Sequence, residues 1–352
     1  MDGHKLFWHL DRVAAWQSGE LIAPVYVEIS PVSFCNHCCI FCGLDFAHDE
    51  KNVIDADLLC KRLEEMGRLG VRSIMLAGEG EPLLHKELPR IVSTAKNAGI
   101  DVSITTNGTV GNTELWEKLL PDLSWIRFSM DAGSAVVHAR VHGVAEQVFD
   151  KTVASITDAL AVRTRMGLTA TIGVQYLMIP ENLDDIERAI HLYGRLGVDY
   201  ISFKPYSEHP QMLGKSGFVY TQEMLDRIES IIESCRQTAG TRLIYRKMSA
   251  TGYSSGEIRF KTCRALPFWG YISSKGDFYT CSVFLNDERF RVGNIYKESM
   301  ESIFFGQVRK SSVEYGCKGL VVGDECRLNC RMARINEFLD FLDQKPDHIN
   351  FI

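Results

Sequence analysis

The sequence predicts an α/β fold built on a parallel sheet, followed by a smaller C-terminal α+β unit. Two observations carry this. Strand-like and helix-like runs alternate as six βα-like units between about residues 24 and 210, and such alternation implies parallel strands with helices outside. Beyond residue 256 the pattern changes to a hairpin-like pair of short runs and a second group of cysteines. Six units are too few to close an eight-stranded barrel.

Each element has its own signal. Leu6, Phe7, Leu10, Val13, Ala14 and Trp16 stand at helical spacing within residues 4–18, and Gly19 ends the run. Ala23 to Ser30 alternates β-branched and aromatic residues and reads as a first strand. Helix 55–68 leads to strand Ser73–Ala77, and helix 86–98 to strand Asp101–Thr106. A short helix near 113–120 precedes strand Trp125–Met130, and a long one near 146–166 precedes strand Thr169–Ile179. Helix 182–196, with Asn182 as its cap, precedes strand Tyr200–Pro205. Helix 221–237 is followed by the polar run Ser249 to Gly256, which reads as a boundary. The expected units are an N-terminal helical segment (1–23), the α/β core (24–212), a linker helix and loop (213–255) and the C-terminal unit (256–352).

The 352 residues are 45% hydrophobic and 24% charged, enough apolar content for a large buried core. The net charge of -6 and the lack of a basic block argue against nucleic acid as a partner. No run reaches the length of a membrane span, and the first residues lack the apolar stretch of a signal peptide. The 11 cysteines are clustered, which fits metal binding in a reducing cytoplasm and not disulfides.

The densest cluster is Phe34 to Cys42, where Cys35, Cys39 and Cys42 stand in the order C-x3-C-x2-C after the first strand. Three thiolates suit three irons of a [4Fe–4S] cube and leave the fourth iron open. Structural zinc instead wants four ligands, commonly from C-x2-C pairs. Cys38 reads as a spare thiol. This spacing resembles the signature of the radical S-adenosylmethionine (SAM) enzymes. That resemblance implies an open partial (β/α)6 barrel over about 24–210. It also implies SAM on the open iron, and reductive cleavage to a 5′-deoxyadenosyl radical that abstracts a substrate hydrogen.

Other motifs carry the resemblance further. Gly78-Glu79-Gly80-Glu81-Pro82 resembles the family's G-G-E-P motif, with Glu79 as the departure. By that likeness Gly80 and Glu81 hold the amino group of SAM. Ser129 and Asp131, at the end of the fourth strand, are carried over as contacts to the ribose or carboxylate, and Arg140 as a further carboxylate contact. Asn107-Gly108 reads either as an ordinary turn pair or as a cofactor contact. His138 and His142 read as surface residues. Gln175 and Lys204 lie within strands. A lysine among Ile201, Ser202, Phe203 and Pro205 either faces a polar cavity, where it would act on substrate, or snorkels to solvent.

In the last quarter, Tyr271-Ile272-Ser273 and Asp277 to Thr280 flank Ser274-Lys275-Gly276 as a hairpin. A helix is expected over 298–305, and another from Cys330 to Leu342. The cysteine order resembles the SPASM/twitch extension of radical SAM enzymes, although Leu320 stands at one expected cysteine position. That resemblance implies one auxiliary [4Fe–4S] cluster on Cys263, Cys281, Cys326 and Cys330, with zinc as the rival metal. Cys317 is left over, either as a buried thiol or as a hydrogen-atom donor. Cys60 and Cys235 read as packing residues.

The leading expectation is a small polyhydroxylated substrate such as a sugar, nucleotide sugar or aminocyclitol, with dehydrogenation, epimerisation or decarboxylation as outcomes. A flavodoxin or ferredoxin is the expected reductant. A peptide maturase is the alternative, and the 23 residues before the first strand leave little room for a leader-binding domain. A non-catalytic metal-binding scaffold is the third reading.

Overall fold

The computed structural model describes residues 4–47, 50–246, 258, 260–327, 330–344 and 347–350. The polar run 249–256, where the sequence suggests a boundary, lies outside the described residues.

Among the described residues, the strands belong to one ten-stranded sheet. Its parallel core runs β1 (Tyr26–Ile29), β2 (Ser73–Leu76), β3 (Asp101–Thr106), β4 (Leu123–Ser129), β5 (Thr171–Met178) and β6 (Tyr200–Pro205). The helices between them are α2 (Ala56–Arg68), α3 (Leu88–Asn97), α4 (Thr113–Leu119), α6 (Gln147–Arg165) and α7 (Ile186–Leu196), after the N-terminal α1 (Leu10–Gln17). Asp55 and Asn112 cap α2 and α4 by accepting from the Leu58 and Leu115 amides at 2.8 and 2.9 Å.

Four features depart from the sequence reading. Residues 4–18 split into a 3-10 turn, Leu6–Trp8, and α1. An extra helix, α5 (Ala135–His142), fills the segment before α6. A seventh parallel strand, β7 (Arg242–Tyr245), follows α8 (Gln222–Cys235) inside the stretch read as a linker. Asn182 is no helix cap. It accepts from the Ile179 amide and donates to the Leu177 and Asp131 carbonyls, all at 2.8–2.9 Å, while α7 starts only at Ile186.

The C-terminal segment continues the same sheet. β8 (Trp269–Ile272) pairs parallel with β1, with Tyr26 opposite Trp269 and Ile29 opposite Ile272. β9 (Asp277–Tyr279) and β10 (Arg291–Asn294) add antiparallel, so β8 and β9 form the expected hairpin. Helices Met300–Phe305, Gln307–Lys318 and Ala333–Asp343 complete the chain's last part.

The two faces of the parallel sheet differ in kind. The outer face, under the helices, carries Val27, Ile29, Ile74, Leu76, Ile104, Ile126, Phe128, Val174 and Phe203, all fully buried. Each such side chain contributes about 1.5–3 kcal/mol on burial. The alternate, inner positions are Glu28, Ser103, Thr105, Arg127, Ser129, Gln175, Ser202 and Lys204. Thr105, Arg127, Ser129, Gln175 and Lys204 stay half-buried. The sheet thus has an apolar back and a polar, partly accessible concave face. A Cβ at Gly173 would lie 2.2 Å from the Tyr200 ring, so glycine there lets that ring cross the inner face.

Candidate active site at the strand ends

The cysteine loop leaves β1 and is tied down on three sides. The Glu81 amide donates to the Phe34 carbonyl at 3.0 Å. The Cys38 and Ile40 amides donate to the His142 and Val141 carbonyls at 3.0 and 3.1 Å, at the end of α5. Ser33 bonds to Asn52 on the third side. Two glycines permit this packing. A Cβ on Gly80 would sit 2.3 Å from the Phe34 oxygen, and one on Gly143 (φ +60°) 2.4 Å from the Cys38 oxygen.

Within the loop, N–H groups already point at sulfur. The His37 amide and Asn107 Nδ2 lie 3.4 and 3.7 Å from Cys35 Sγ. Cys39 Sγ lies 3.1 Å from His142 Nδ1, the acceptor nitrogen of a ring whose Nε2 donates to the Met130 carbonyl at 2.9 Å. Burial pushes the Cys35 thiol up to about 11, and burial followed by the neighbouring thiolates raises Cys39 further. Cys42 is raised by burial as well. Three half-buried thiols that resist ionising alone are what a cationic metal centre would convert to thiolates. The all-sulfur donor set and the ready N–H donors fit an iron–sulfur cluster. His37, Cys39 and His142 also bring ligand atoms within 4.8 Å of one another, so a single ion there would compete with the trio for Cys39.

Several expected cofactor contacts have other duties. Glu81 is buried, and its carboxylate accepts from Thr106 Oγ1 (2.5 Å), the Asn107 amide (2.7 Å) and the Leu83 amide (3.0 Å). It brackets two strand ends, with Oε1 taking two of the donors and Oε2 one. Gly80 serves the close approach to Phe34. Asn107 turns toward the cysteine loop, donating to Asn36 Oδ1 at 2.7 Å as well as facing Cys35. Asp131 is fully buried with φ +49°, and its Oδ1 accepts from the Leu177 amide at 2.5 Å. Burial lifts its carboxyl to about 7. Arg140 is directed outward and donates to the Glu181 carbonyl.

The two histidines expected at the surface are buried. His138 and His142 pack with ring centroids 4.4 Å apart, and His37 lies 5.3 Å from His142. The reason is that α5 carries the cysteine loop on its C-terminal end, which covers both rings. Burial depresses His37 and His138 to about 4.

Ser129, Gln175 and Lys204 do face the concave side. Ser129 stands in register with Gln175, and Lys204 Nζ donates to Gln175 Oε1. The sequence reading missed two neighbours. Arg127 lies two residues before Ser129 on the same face, where strand alternation alone would have flagged it. Arg331, directly after Cys330, reaches into the lumen and pairs with buried Glu28 of β1.

The second cysteine group is assembled by the fold. Cys263, Cys281, Cys326 and Cys330 feel one another's charge, and Cys326 and Cys330 share a hydrogen bond. Burial pushes Cys281 up to about 12. Asn336 Nδ2 lies 3.7 Å from Cys263 Sγ and the Met332 amide 3.4 Å from Cys330 Sγ, again N–H groups on sulfur. Cys317 sits on helix Gln307–Lys318, where its Sγ donates to the Cys263 carbonyl at 3.5 Å beside the second cysteine group. Among the described residues, no helix is long and apolar enough to cross a membrane.

Comparison with known proteins follows this geometry. Residues 29–193 match the model of the radical SAM superfamily. A probable GTP 3′,8-cyclase of Sulfurisphaera tokodaii is 26% identical over 216 residues, 61% of this chain and 65% of that protein. A probable GTP 3′,8-cyclase of Sulfolobus acidocaldarius is 30% identical over 211 residues, 59% of this chain and 64% of that one. The match therefore spans less than two thirds of these curated relatives. In fold, the chain resembles SuiB of Streptococcus suis bound to S-adenosylmethionine (TM-score 0.68, 18% identity, 97% of this chain and 79% of that one). It also resembles anSMEcpe with bound AdoMet and a Cp18Cys peptide (TM-score 0.61, 18% identity, 89% and 88%).

Proposed function

We propose that this chain, which belongs to the radical SAM superfamily, holds its [4Fe–4S] cluster on Cys35, Cys39 and Cys42 and acts on a small polar molecule in the barrel lumen. When bound, the cluster and SAM supply reductive sulfonium cleavage and abstraction of a hydrogen atom from substrate. The observation that carries the substrate reading is the polar concave face. Ser129, Gln175 and Lys204 converge there below the cysteine loop, while the opposite face is sealed in apolar core.

The residues around the loop have separable tasks. Asn107 and the His37 amide direct N–H groups at Cys35 sulfur, which favours thiolate, while His142 Nδ1 can accept the Cys39 thiol proton because Nε2 donates to the Met130 carbonyl. Glu81 fixes Asn107 through its backbone. Ser129 and Gln175 present short polar groups to the cofactor's sugar or to substrate. Arg331 and Glu28 join the lumen wall to the second cysteine group.

In this reading Cys263, Cys281, Cys326 and Cys330 hold an auxiliary [4Fe–4S] cluster, supported by their mutual proximity and N–H···S contacts. Reduction of the first cluster needs a low-potential one-electron donor, for which a flavodoxin or ferredoxin is suited. The names of the curated relatives favour a small molecule, since they are GTP cyclases. A second reading, a peptide substrate, draws on the whole-chain fold likeness to SuiB bound to its precursor peptide.

The test is anaerobic. Reconstituted protein reduced with dithionite should form 5′-deoxyadenosine and methionine from SAM, and a variant with Cys35, Cys39 and Cys42 changed to Ala should form none. Roughly eight irons in the wild type falling to roughly four in that variant would match two four-iron clusters. A zinc at the second group would remove the auxiliary cluster. Stimulation of 5′-deoxyadenosine formation by a peptide fraction, and not by a metabolite fraction, would overturn the small-molecule reading.

A further inference from the structure

On the concave face, Arg127 and Lys204 bond to neutral partners, Thr105 and Gln175. Arg127 donates from Nη2 to Thr105 Oγ1 at 3.1 Å, and its guanidinium lies 5.1 Å from the Trp125 ring. Its Nε is buried with no hydrogen-bond partner. Lys204 Nζ bonds to the neutral Gln175 amide oxygen. Arg331 does have a carboxylate, Glu28, yet 46% of its side chain stays accessible while Glu28 is buried, as expected of a residue on a cavity wall. Asp131 lies near Lys204, but its Oδ1 is bonded to the Leu177 amide and burial favours its neutral form.

These cations act on one another across the lumen. The Lys204 ammonium is held well below its usual range, first by burial and then by Arg127, Arg246 and Arg331, with Glu28 opposing. Partly desolvated charges of one sign are unfavourable unless a counter-charge joins them. Arg127 is half-buried on this face, a guanidinium is a planar donor suited to oxygen anions, and an ammonium adds a point charge beside it. A dianion matches several cations better than a carboxylate does.

We propose that the lumen binds a phosphoryl group of the substrate, with Arg127 and Lys204 as its contacts and Arg331 at its rim. The inference rests on the reading of the lumen as the reaction chamber, and it names the substrate class as a phosphorylated small molecule.

Inorganic pyrophosphate is the probe, titrated calorimetrically into anaerobic holoprotein saturated with SAM. Binding is expected in the wild type and should weaken at least tenfold, about 1.4 kcal/mol, in Arg127→Gln and in Lys204→Gln. Ligand-free melting temperatures of the variants should equal or exceed that of the wild type, because each removes an uncompensated cation; a loss of folding in one variant leaves the other to decide. No binding in the wild type, or binding unaltered in both variants, overturns the proposal. Acetate binding as tightly at the same ionic strength would make the site a carboxylate site instead. Competition between pyrophosphate and SAM would assign the cations to the cofactor's own carboxylate. Failure of the radical reading shows separately, as absence of 5′-deoxyadenosine on reduction, whatever the titration gives.

Discussion

Replacing Glu81 by Ala separates two roles for the same residue. As a contact to the SAM amino group, its loss would weaken cofactor binding and leave the fold intact. The geometry makes it a structural bracket. Its two oxygens take three donors, Thr106 Oγ1, the Asn107 amide and the Leu83 amide, within a site that is 3% exposed. An orphaned buried donor costs about 1–3 kcal/mol. Three of them sum to at least about 3 kcal/mol, taking the low end of that range. One effect opposes this. Burial raises the carboxyl's pKa despite its three bonds, so part of the ion's desolvation cost is recovered on removal. The expected net loss is about 2–4 kcal/mol. Glu81→Gln keeps one oxygen for two donors and turns an NH2 toward the Asn107 amide, so it should lose about 1–2 kcal/mol. Urea unfolding followed by circular dichroism, on metal-free protein, measures this without the linkage of metal binding to stability. The order wild type, Gln, Ala is expected. If the Ala variant unfolds within about 0.5 kcal/mol of wild type while SAM affinity drops, the bracket reasoning is wrong.

The other expectations concern neighbouring features. Gly80→Ala places a Cβ against the backbone oxygen of Phe34, at 2.3 Å, so the cysteine loop must shift. Iron held by the first cysteine group should fall while metal on the second is kept, and full iron content in this variant would refute the close packing. Asp131 has a folded pKa lifted from 3.8 to about 7. Its stabilising effect is complete below the unfolded value and is lost as pH rises toward 7, so wild-type stability should decline across that window. Asp131→Asn keeps the acceptor for the Leu177 amide and should flatten the decline; equal slopes in both proteins would count against a buried protonated Asp131. Arg331→Met strands Glu28. The cost should be about 1–3 kcal/mol, below the 3–5 of a fully buried pair because Arg331 is half exposed. Adding Glu28→Gln should recover most of it, and a double variant no more stable than the single one would show that the pair does not couple.

What could be read from the chain depends on how far apart in sequence the cause of each feature lies. The first cysteine group and the β8–β9 hairpin are local and show in spacing, whereas the second cysteine group, spread from Cys263 to Cys330, is legible only through a family resemblance. Lys204 was recognisable because a cation interrupts an apolar strand. Arg127 obeys the same rule, since it alternates with the apolar Ile126 and Phe128 in its strand. The direction of the Glu81 carboxylate is set by Thr106 and Asn107, 25 and 26 residues on, so the motif marks its position and says nothing of where it points. His138 and His142 look solvated in a short amphipathic run. They are buried because a loop about 100 residues earlier lies over their helix, with Cys39 touching His142. The pairing of β8 with β1 joins residues more than 240 positions apart, and nothing near Trp269 announces its partner.

The same sheet explains why there is a chamber at all. A closed barrel of this size fills its interior with branched side chains. Here the strands remain an open sheet, ending at β7 on one side and β10 on the other. Several inner positions are small, and Ser103, Ser129, Gly173 and Ser202 leave space beside Trp125 and Tyr200. Stability must then come from the outer face, which is why its residues are uniformly buried aliphatics and aromatics. Freed from packing duty, the inner face can carry Arg127 and Lys204 together with the Glu28–Arg331 pair, charges that a close-packed apolar core would not accommodate. The C-terminal segment contributes Arg331 to that face from beside Cys330. Metal at the second cysteine group and charge in the lumen are therefore joined through one residue step along the chain, so removing that metal should disturb the lumen wall before it disturbs the sheet.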